Sequence, residues 1–269
     1  YWRTSQIADA RGLSLPSEKT MKRKFDRDID MRLVTAKRGG ADELRQMLPP
    51  QRRSRAHLHA MEAINIDGHK FDVFVHRKGA KPGDKPIRPI MIAMQDLYSG
   101  KMLAWRLGES ENALLTRLTF ADLFRDYGLP KRCTSDNGRA FASKEITGGA
   151  KTRFRFKIRA DDPTGLLTAL GIKTDWARPH HGQAKPIERF FRDVADYIAR
   201  HPACAGAWTG NTIDAKPENY QSKAIEWDEF ARIVDAGMKA LNAKTGRRSE
   251  VANGRSYDET FAASYAAAP

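Results

Sequence analysis

Three acidic residues, Asp67, Asp136 and Glu188, sit where a metal site would need its ligands held. Glu188 belongs to the run His180-His181-Gly182-Gln183-Ala184-Lys185-Pro186-Ile187-Glu188-Arg189-Phe190-Phe191. Pro179 and Gly182 mark a loop. Pro186 suits the first turn of a helix, where its missing N–H costs nothing. From there Ile187, Phe190, Phe191, Val194, Tyr197 and Ile198 form an apolar helical stripe. Glu188 lies one position off that stripe, fixed by a rigid helix yet open to solvent, which suits a metal ligand. Taken alone it reads as an ordinary first-turn carboxylate, favoured by the helix dipole and paired with Arg192. It gains a chemical meaning only if other carboxylates converge on it.

The elements that must bring them together can be read from periodicity. Ala63–Asp67 and Phe71–His76 are alternating apolar runs on either side of Gly68, expected as one long strand with a bulge. Ile90–Met94 and Met102–Leu107, joined through Ser99-Gly100, complete an antiparallel meander. A helix follows, with Ser110 as its cap, Glu111 in its first turn, Leu114, Leu115, Leu118, Ala121 and Tyr127 inward, and Gly128 as its stop. Arg132–Ser135 is a short strand ending at Asp136, and Leu170–Trp176 is the last strand, ahead of the Glu188 helix. Trp227–Leu241 and a short segment capped by Ser256 add helices. Three strands, helix, strand, insert, strand, helix is an α/β order with a mixed five-stranded sheet and flanking helices. If the first and fourth strands are neighbours, Asp67 and Asp136 lie side by side and the last helix leans Glu188 over them.

Charge points to the partner. The chain carries 47 Lys+Arg against 33 Asp+Glu, a net charge of +14. Half of that excess falls in residues 1–60, with 14 basic and 7 acidic residues. A polyanion fits this balance, and nucleic acid fits better than a membrane because no basic amphipathic anchor or long apolar run is present. Residues 1–56 read as a basic helical module with a linker. Ser5–Arg11 is a short helix ended by Gly12. Ser17 caps a second, from Glu18 to about Met31, with Lys19, Lys22, Arg23 and Arg27 on its outer faces. That outline is helix-turn-helix-like; the competing reading is a solvated basic helix. A short helix, Ala41–Met47, then leads to a linker bearing Arg52, Arg53 and Arg55, placed to track phosphates. Residues 57–269 form the second domain. In its insert, about 147–165, Lys151, Arg153, Arg155 and Lys157 alternate with apolar residues, giving one basic and one apolar face if extended. A charge-protected edge strand is the alternative there. Cys133 and Cys204 match no zinc spacing, and a reducing compartment is expected. The chain starts at Tyr1 rather than Met and is expected to be a piece of a longer protein.

At this point the chain resembles the Mu-type bacteriophage transposases, a branch of the RNase H-like recombinases with an Asp-Asp-Glu triad. The likeness rests on Ile64-Asn65-Ile66-Asp67-Gly68, Asp136-Asn137, Thr147-Gly148-Gly149-Ala150, Arg153-Phe154-Arg155-Phe156-Lys157, Asp161-Asp162-Pro163 and Gly182-Gln183-Ala184-Lys185-Pro186-Ile187-Glu188-Arg189. It covers most of residues 55–260. The resemblance implies an RNase H-like core in which Asp67, Asp136 and Glu188 are catalytic and bind metal. It implies double-stranded DNA as partner, both element ends and target, and a homotetramer assembled on it. It also implies an ATPase target-delivery partner for the full-length protein, and a cytoplasmic setting in a bacterial host. Water would first attack to leave 3′-OH ends, which would then attack target DNA.

The chemistry explains the residue types. Two magnesium ions roughly 3.5–4 Å apart can activate an attacking oxygen and stabilise a leaving one. Magnesium takes hard carboxylate oxygens and keeps several waters; Mn2+ is expected to substitute. Lys185 is expected on DNA phosphate with the other basic residues. Asp96, Asn137, Arg178, His180 and His181 are candidates for places near the site, and Asp72 and Asp96 compete with Asp67. Two other functions stay open on the sequence: a non-catalytic DNA-binding regulator of the same fold, and a structure-specific nuclease.

Overall fold

The structure, a computed structural model, describes residues 1–46, 54–136, 138, 140–150, 163–176, 186–210, 219 and 222–267. The chain divides into two compact units, Tyr1–Gln51 and Arg52–Pro269.

The first unit is helical. α1 spans Trp2–Ala10, and Gly12 leaves it with a φ of 65°. α2 spans Glu18–Asp28, and the Ser17 hydroxyl caps it by accepting from Thr20 N at 3.3 Å. It ends earlier than the sequence suggests. Ile29 is extended, and the Asp30 carboxylate accepts from Arg32 N at 2.9 Å, opening α3 at Met31. α3 runs Met31–Gln46, so the short helix expected at Ala41–Met47 is the second part of a longer helical stretch that Gly40, at φ 79°, interrupts. Lys19, Lys22, Arg23 and Arg27 are all exposed on α2, and Arg27 pairs with Asp28 at 2.6 Å.

The second unit is built on a five-stranded sheet of order β3-β2-β1-β4-β5. β1 is Ala63–Lys70, β2 Ile90–Asp96, β3 Met102–Gly108, β4 Arg132–Ser135 and β5 Lys173–Trp176. The first three are antiparallel, with Asp67 opposite Ala93 in the β1–β2 register. β4 and β5 join in parallel. Even-numbered residues of β1 and β2 (Ile64, Ile66, Ile92, Met94) face α4, Ala113–Tyr127. Odd-numbered ones (Met91, Ala93) face a second core built on α7, Pro186–Val194, and α8, Trp227–Ala243. Period-two alternation puts Asp67 on that second face. The remaining helices are α5, Lys144–Thr147, α6, Leu166–Ala169, and α9, Tyr257–Tyr265, the last closed by a Ser256–Glu259 capping box.

Two expectations are corrected here. Phe71–His76 does not extend β1. Val73 and Val75 make only isolated bridges, to Trp208 and to Ile87 and Ile225, because Phe71, Val73 and Val75 are wholly buried in the α7–α8 core rather than paired along the sheet. On α4 the buried residues are Thr116, Thr119, Phe120 and Leu123; Leu115 and Tyr127 pack against the same core as expected, while Ala121 is exposed, Leu114 is 63% and Leu118 38% exposed. Threonine can turn inward because each hydroxyl donates to a carbonyl four residues back, Asn112 O at 2.9 Å and Leu115 O at 2.8 Å. The α4 cap is Asn112, whose side chain accepts from Leu115 N at 2.8 Å, not Ser110. Glu111 therefore precedes the helix.

Among the described residues no helix is long and apolar enough to cross a membrane. Cys133 and Cys204 are buried and unpaired, and burial pushes the Cys133 thiol up to about 12.

Candidate functional site

β1 and β4 are parallel neighbours, and this places the two aspartates. The last pair of their ladder is Asn65 with Thr134. Asp67, inside β1, and Asp136, just past the end of β4, each follow that pair by the same two positions. Just before them, Asn65 Nδ2 donates to Thr134 O at 3.2 Å and ties the strands together. Each aspartate is then shaped by a glycine. Gly68 N donates to Asp67 Oδ1 at 2.9 Å, and Gly138 N donates to Asp136 Oδ1 at 2.8 Å.

Neither glycine has room for a side chain. A Cβ on Gly68 would lie 3.0 Å from Glu111 Oε2. A Cβ on Gly138 would lie 2.7 Å from Asp136 Oδ1 and 3.3 Å from Glu111 Oε1. The Glu111 carboxylate thus borders both glycine turns, with Asp136 facing it across Gly138. Sequence reading missed this by placing Glu111 inside the helix; the Asn112 cap immediately after it was the available signal.

Glu188 is half-buried in the first turn of α7. Ile187, Phe190, Phe191 and Val194 fix that helix by packing into the core. Phe191, one turn on, stacks on His69 of β1. Burial pushes the His69 imidazole down to about 4, with Arg88 adding to the effect, so it packs as a neutral ring. Among the described residues no three His, Cys, Asp or Glu side chains stand close enough to hold one metal ion. The structure brings Asp67 and Asp136 to matched positions on adjoining strands, and Glu188 does not complete a three-carboxylate group with them.

Other candidates go elsewhere. Asp96 sits opposite Ile64, toward the other end of β1 from Asp67. Its carboxylate accepts from Met61 N at 3.0 Å, Ser99 N at 2.7 Å and Ser99 Oγ at 2.6 Å, so it shapes the β2–β3 turn. Burial nevertheless holds its pKa above the ordinary value. Asp72 is paired with Arg88. Arg55 is half-buried, with Nη1 donating to Leu97 O at 3.3 Å, and burial lowers its pKa, with Arg189 adding. Arg52, Arg53, Asn137, Lys151, Arg153, Arg155, Lys157, Arg178, His180, His181 and Lys185 lie outside the described residues. The insert that carries four of them has a defined stem. Gly165 N donates to Gly148 O at 3.0 Å, and a Cβ on Gly148 would fall 2.1 Å from Pro163 O.

Comparison with known proteins decides the family. The profile described as bacteriophage Mu transposase matches residues 55–266, the unit that holds the sheet and the acids. The chain belongs to the bacteriophage Mu transposase family. Residues 1–54 match the Mu DNA-binding I gamma subdomain, so a DNA-binding unit precedes a DDE-type transposase core. The Mu-like prophage FluMu transposase A of Haemophilus influenzae is 35% identical over 274 residues, covering 98% of this chain and 39% of that protein. The chain therefore spans well under half the length of this Mu-family relative. Among solved structures, the simian T-cell lymphotropic virus intasome in complex with a PP2A regulatory subunit aligns at a TM-score of 0.51 and 12% identity, over 80% of this chain and 59% of that one. The HTLV-2 integrase catalytic core with magnesium aligns at 0.46 and 14% identity, over 78% and 99%. The Mu-family core thus has an RNase H-like fold shared with that intasome chain, a mixed sheet with flanking helices.

Proposed function

We propose that this chain is the strand-cutting and strand-joining core of a DNA transposase, with residues 1–56 as its DNA-binding module and linker and 57–269 as its catalytic domain. The observation that carries the reading is the placement of Asp67 and Asp136 at equal offsets on adjoining parallel strands in a Mu-family core. Asp67, Asp136 and Glu188 would hold divalent cations, two Mg2+ with Mn2+ as a substitute. The donors fit, because carboxylate oxygens are the hard ligands that magnesium takes. Bound there, the cations supply activation of the attacking oxygen and stabilisation of the leaving oxygen of a phosphodiester.

The protein's own part is positional. Gly68 N and Gly138 N each fix one oxygen of an aspartate. Glu188 must close on the pair, and α7 is the element that carries it. Lys19, Lys22, Arg23 and Arg27, with Arg52, Arg53 and the insert residues Lys151, Arg153, Arg155 and Lys157, neutralise DNA phosphates; Lys185, Arg178, His180, His181 and Asn137 lie near the site in sequence. Direct attack by water, then by the 3′-OH, needs no covalent enzyme intermediate. Tetramer assembly on paired DNA ends, an ATPase target-delivery partner of the longer protein and a bacterial cytoplasmic setting complete the proposal.

The test is a joining assay with pre-cut ends and Mg2+. Asp67→Asn, Asp136→Asn and Glu188→Gln are expected to keep DNA binding and to abolish cleavage and joining. A near wild-type joining rate in any one of them rejects that residue's role. Products that stop at hydrolysed ends would instead indicate a nuclease.

A further inference from the structure

We propose that Asn65 is a positioning residue of this site, whose amide holds β1 and β4 in the register that the two aspartates need to share a divalent cation. The inference rests on the proposed assignment of Asp67 and Asp136 as cation ligands. The backbone ladder between β1 and β4 is short. It joins Ala63 with Arg132, Ile64 with Cys133 and Asn65 with Thr134. Parallel pairing is also the less stable kind per residue. Asp67 and Asp136 both lie two positions past the last of these pairs, and β4 ends at Ser135. The bond from Asn65 Nδ2 to Thr134 O, at 3.2 Å, falls at that last pair. A side chain thus adds a fastening where the ladder gives out, at the pair nearest the aspartates.

Asparagine is an unfavourable choice for this position on stability alone. It is depleted in strands, and this one is 1% exposed within the central strand of a five-stranded sheet. Its Oδ1 is buried and has no hydrogen-bond partner among the described residues. Gln95, directly opposite on β2, repeats the pattern. It is 3% exposed, its Nε2 donates to Gly100 O at 2.8 Å, and its Oε1 is likewise buried without a partner among the described residues. Neither amide can turn over to relieve its oxygen without giving up the carbonyl that its nitrogen holds. Buried acceptors left in this way lower stability, and an apolar side chain of similar shape avoids the loss. A strand that needed only to fold would carry a β-branched apolar residue here. Asn65 gives up that stability for a fixed link across the fork between the two strands that bear the aspartates. Local rules are broken in this way chiefly at functional sites.

The experiment uses the whole chain. Mn2+ binding is measured by calorimetric titration, joining of pre-cut ends is measured against Mg2+ concentration, and melting temperatures are recorded without metal. Asn65→Leu removes the donor and the unpartnered oxygen together at similar size. It is expected to melt at or above the wild-type temperature, to bind Mn2+ roughly tenfold more weakly, and to need correspondingly more Mg2+ for half-maximal joining. The fall in rate at saturating Mg2+ is expected to be much smaller, because the cation itself draws the two carboxylates together. Asn65→Gln keeps an amide donor on a longer arm. It is expected to recover part of the Mn2+ affinity while melting lower than Asn65→Leu, an order that a residue serving folding alone would reverse. Gln95→Leu, which removes the same kind of amide without touching the β1–β4 link, is expected to keep wild-type Mn2+ affinity. Wild-type affinity in Asn65→Leu overturns the proposal. So does a large fall in its melting temperature, or an equal loss of affinity in Gln95→Leu. Asp67→Asn and Asp136→Asn run beside them. If these two also bind Mn2+ like wild type, it is the underlying ligand assignment that fails; if they lose binding while Asn65→Leu does not, only the role of Asn65 fails.

Discussion

The His69 imidazole stacks on the Phe191 ring, with centroids 4.9 Å apart and planes 29° apart. His69 follows Asp67 by two residues on the same face of β1, and Phe191 follows Glu188 by three residues, almost one helical turn. This contact therefore sets where the first turn of α7 sits against the strand that carries Asp67. The partners are apolar in effect: His69 is half-buried and neutral, and meets Phe71 edge-on at 5.0 Å. Phe191→Ala is expected to destabilise the catalytic unit by roughly 3–5 kcal/mol in urea unfolding. His69→Phe, which keeps a ring, is expected to hold most of the stability and of the joining activity, whereas His69→Ala loses both. Equal joining by the Phe and Ala variants would show that the ring contact does not place α7.

The acid limb of stability draws on the Asp122 carboxylate. Arg106 of β3 donates twice to Asp122 of α4, at 2.5 and 2.9 Å, and Arg125 adds a third contact at 3.1 Å. The hydrogen bond from Arg106, then its charge and that of Arg125, hold the Asp122 carboxyl below its ordinary 3.8. A carboxyl depressed on folding contributes stability that is full above the unfolded value and is lost as pH falls through the folded one. Asp122→Asn is therefore expected to lower stability at neutral pH and to flatten its decline below pH 3.8, read from melting temperatures across pH. Parallel pH profiles for variant and wild type would contradict this.

The stem of the basic insert depends on two glycines at close approach. A Cβ on Gly165 would lie 2.4 Å from Gly148 N, and one on Gly148 would lie 2.4 Å from Lys144 O. Neither neighbour can give way, because both are backbone atoms. Gly148→Ala and Gly165→Ala are each expected to lower the melting temperature and to weaken DNA binding more than Gly171→Ala. Gly171 has nothing within 4 Å of such a Cβ, and only its φ of 69° is disturbed. Wild-type melting in the stem variants would mean that the strands of the stem part easily.

DNA contact by the insert has its own signature. Replacing Arg153 and Arg155 with Ala removes two cationic groups. If both neutralise phosphates of duplex DNA, the slope of log K against log salt becomes shallower by about 1.8. The same pair of changes at Lys22 and Arg23 on α2 tests the first unit in the same way. An unchanged slope returns the insert to a solvated, charge-protected edge.

The residues alone determined much of this protein. The strands around Asp67 and Asp136, the Pro186 start of the Glu188 helix, the Gly128 stop and the basic first unit follow from period, caps and charge, which are local. They also carried the family resemblance. Tertiary structure decided the rest. Only strand pairing across about seventy positions put β4 beside β1, which places Asp67 and Asp136 at matched positions on adjoining strands. Only packing sent Phe71, Val73 and Val75 into the α7–α8 core rather than along the sheet, and turned Thr116 and Thr119 inward once their hydroxyls had carbonyl partners. Glu111 came to lie against Gly68 and Gly138 in the same way. Periodicity reports which residues prefer burial. It carries no information on which distant backbone will leave room for them.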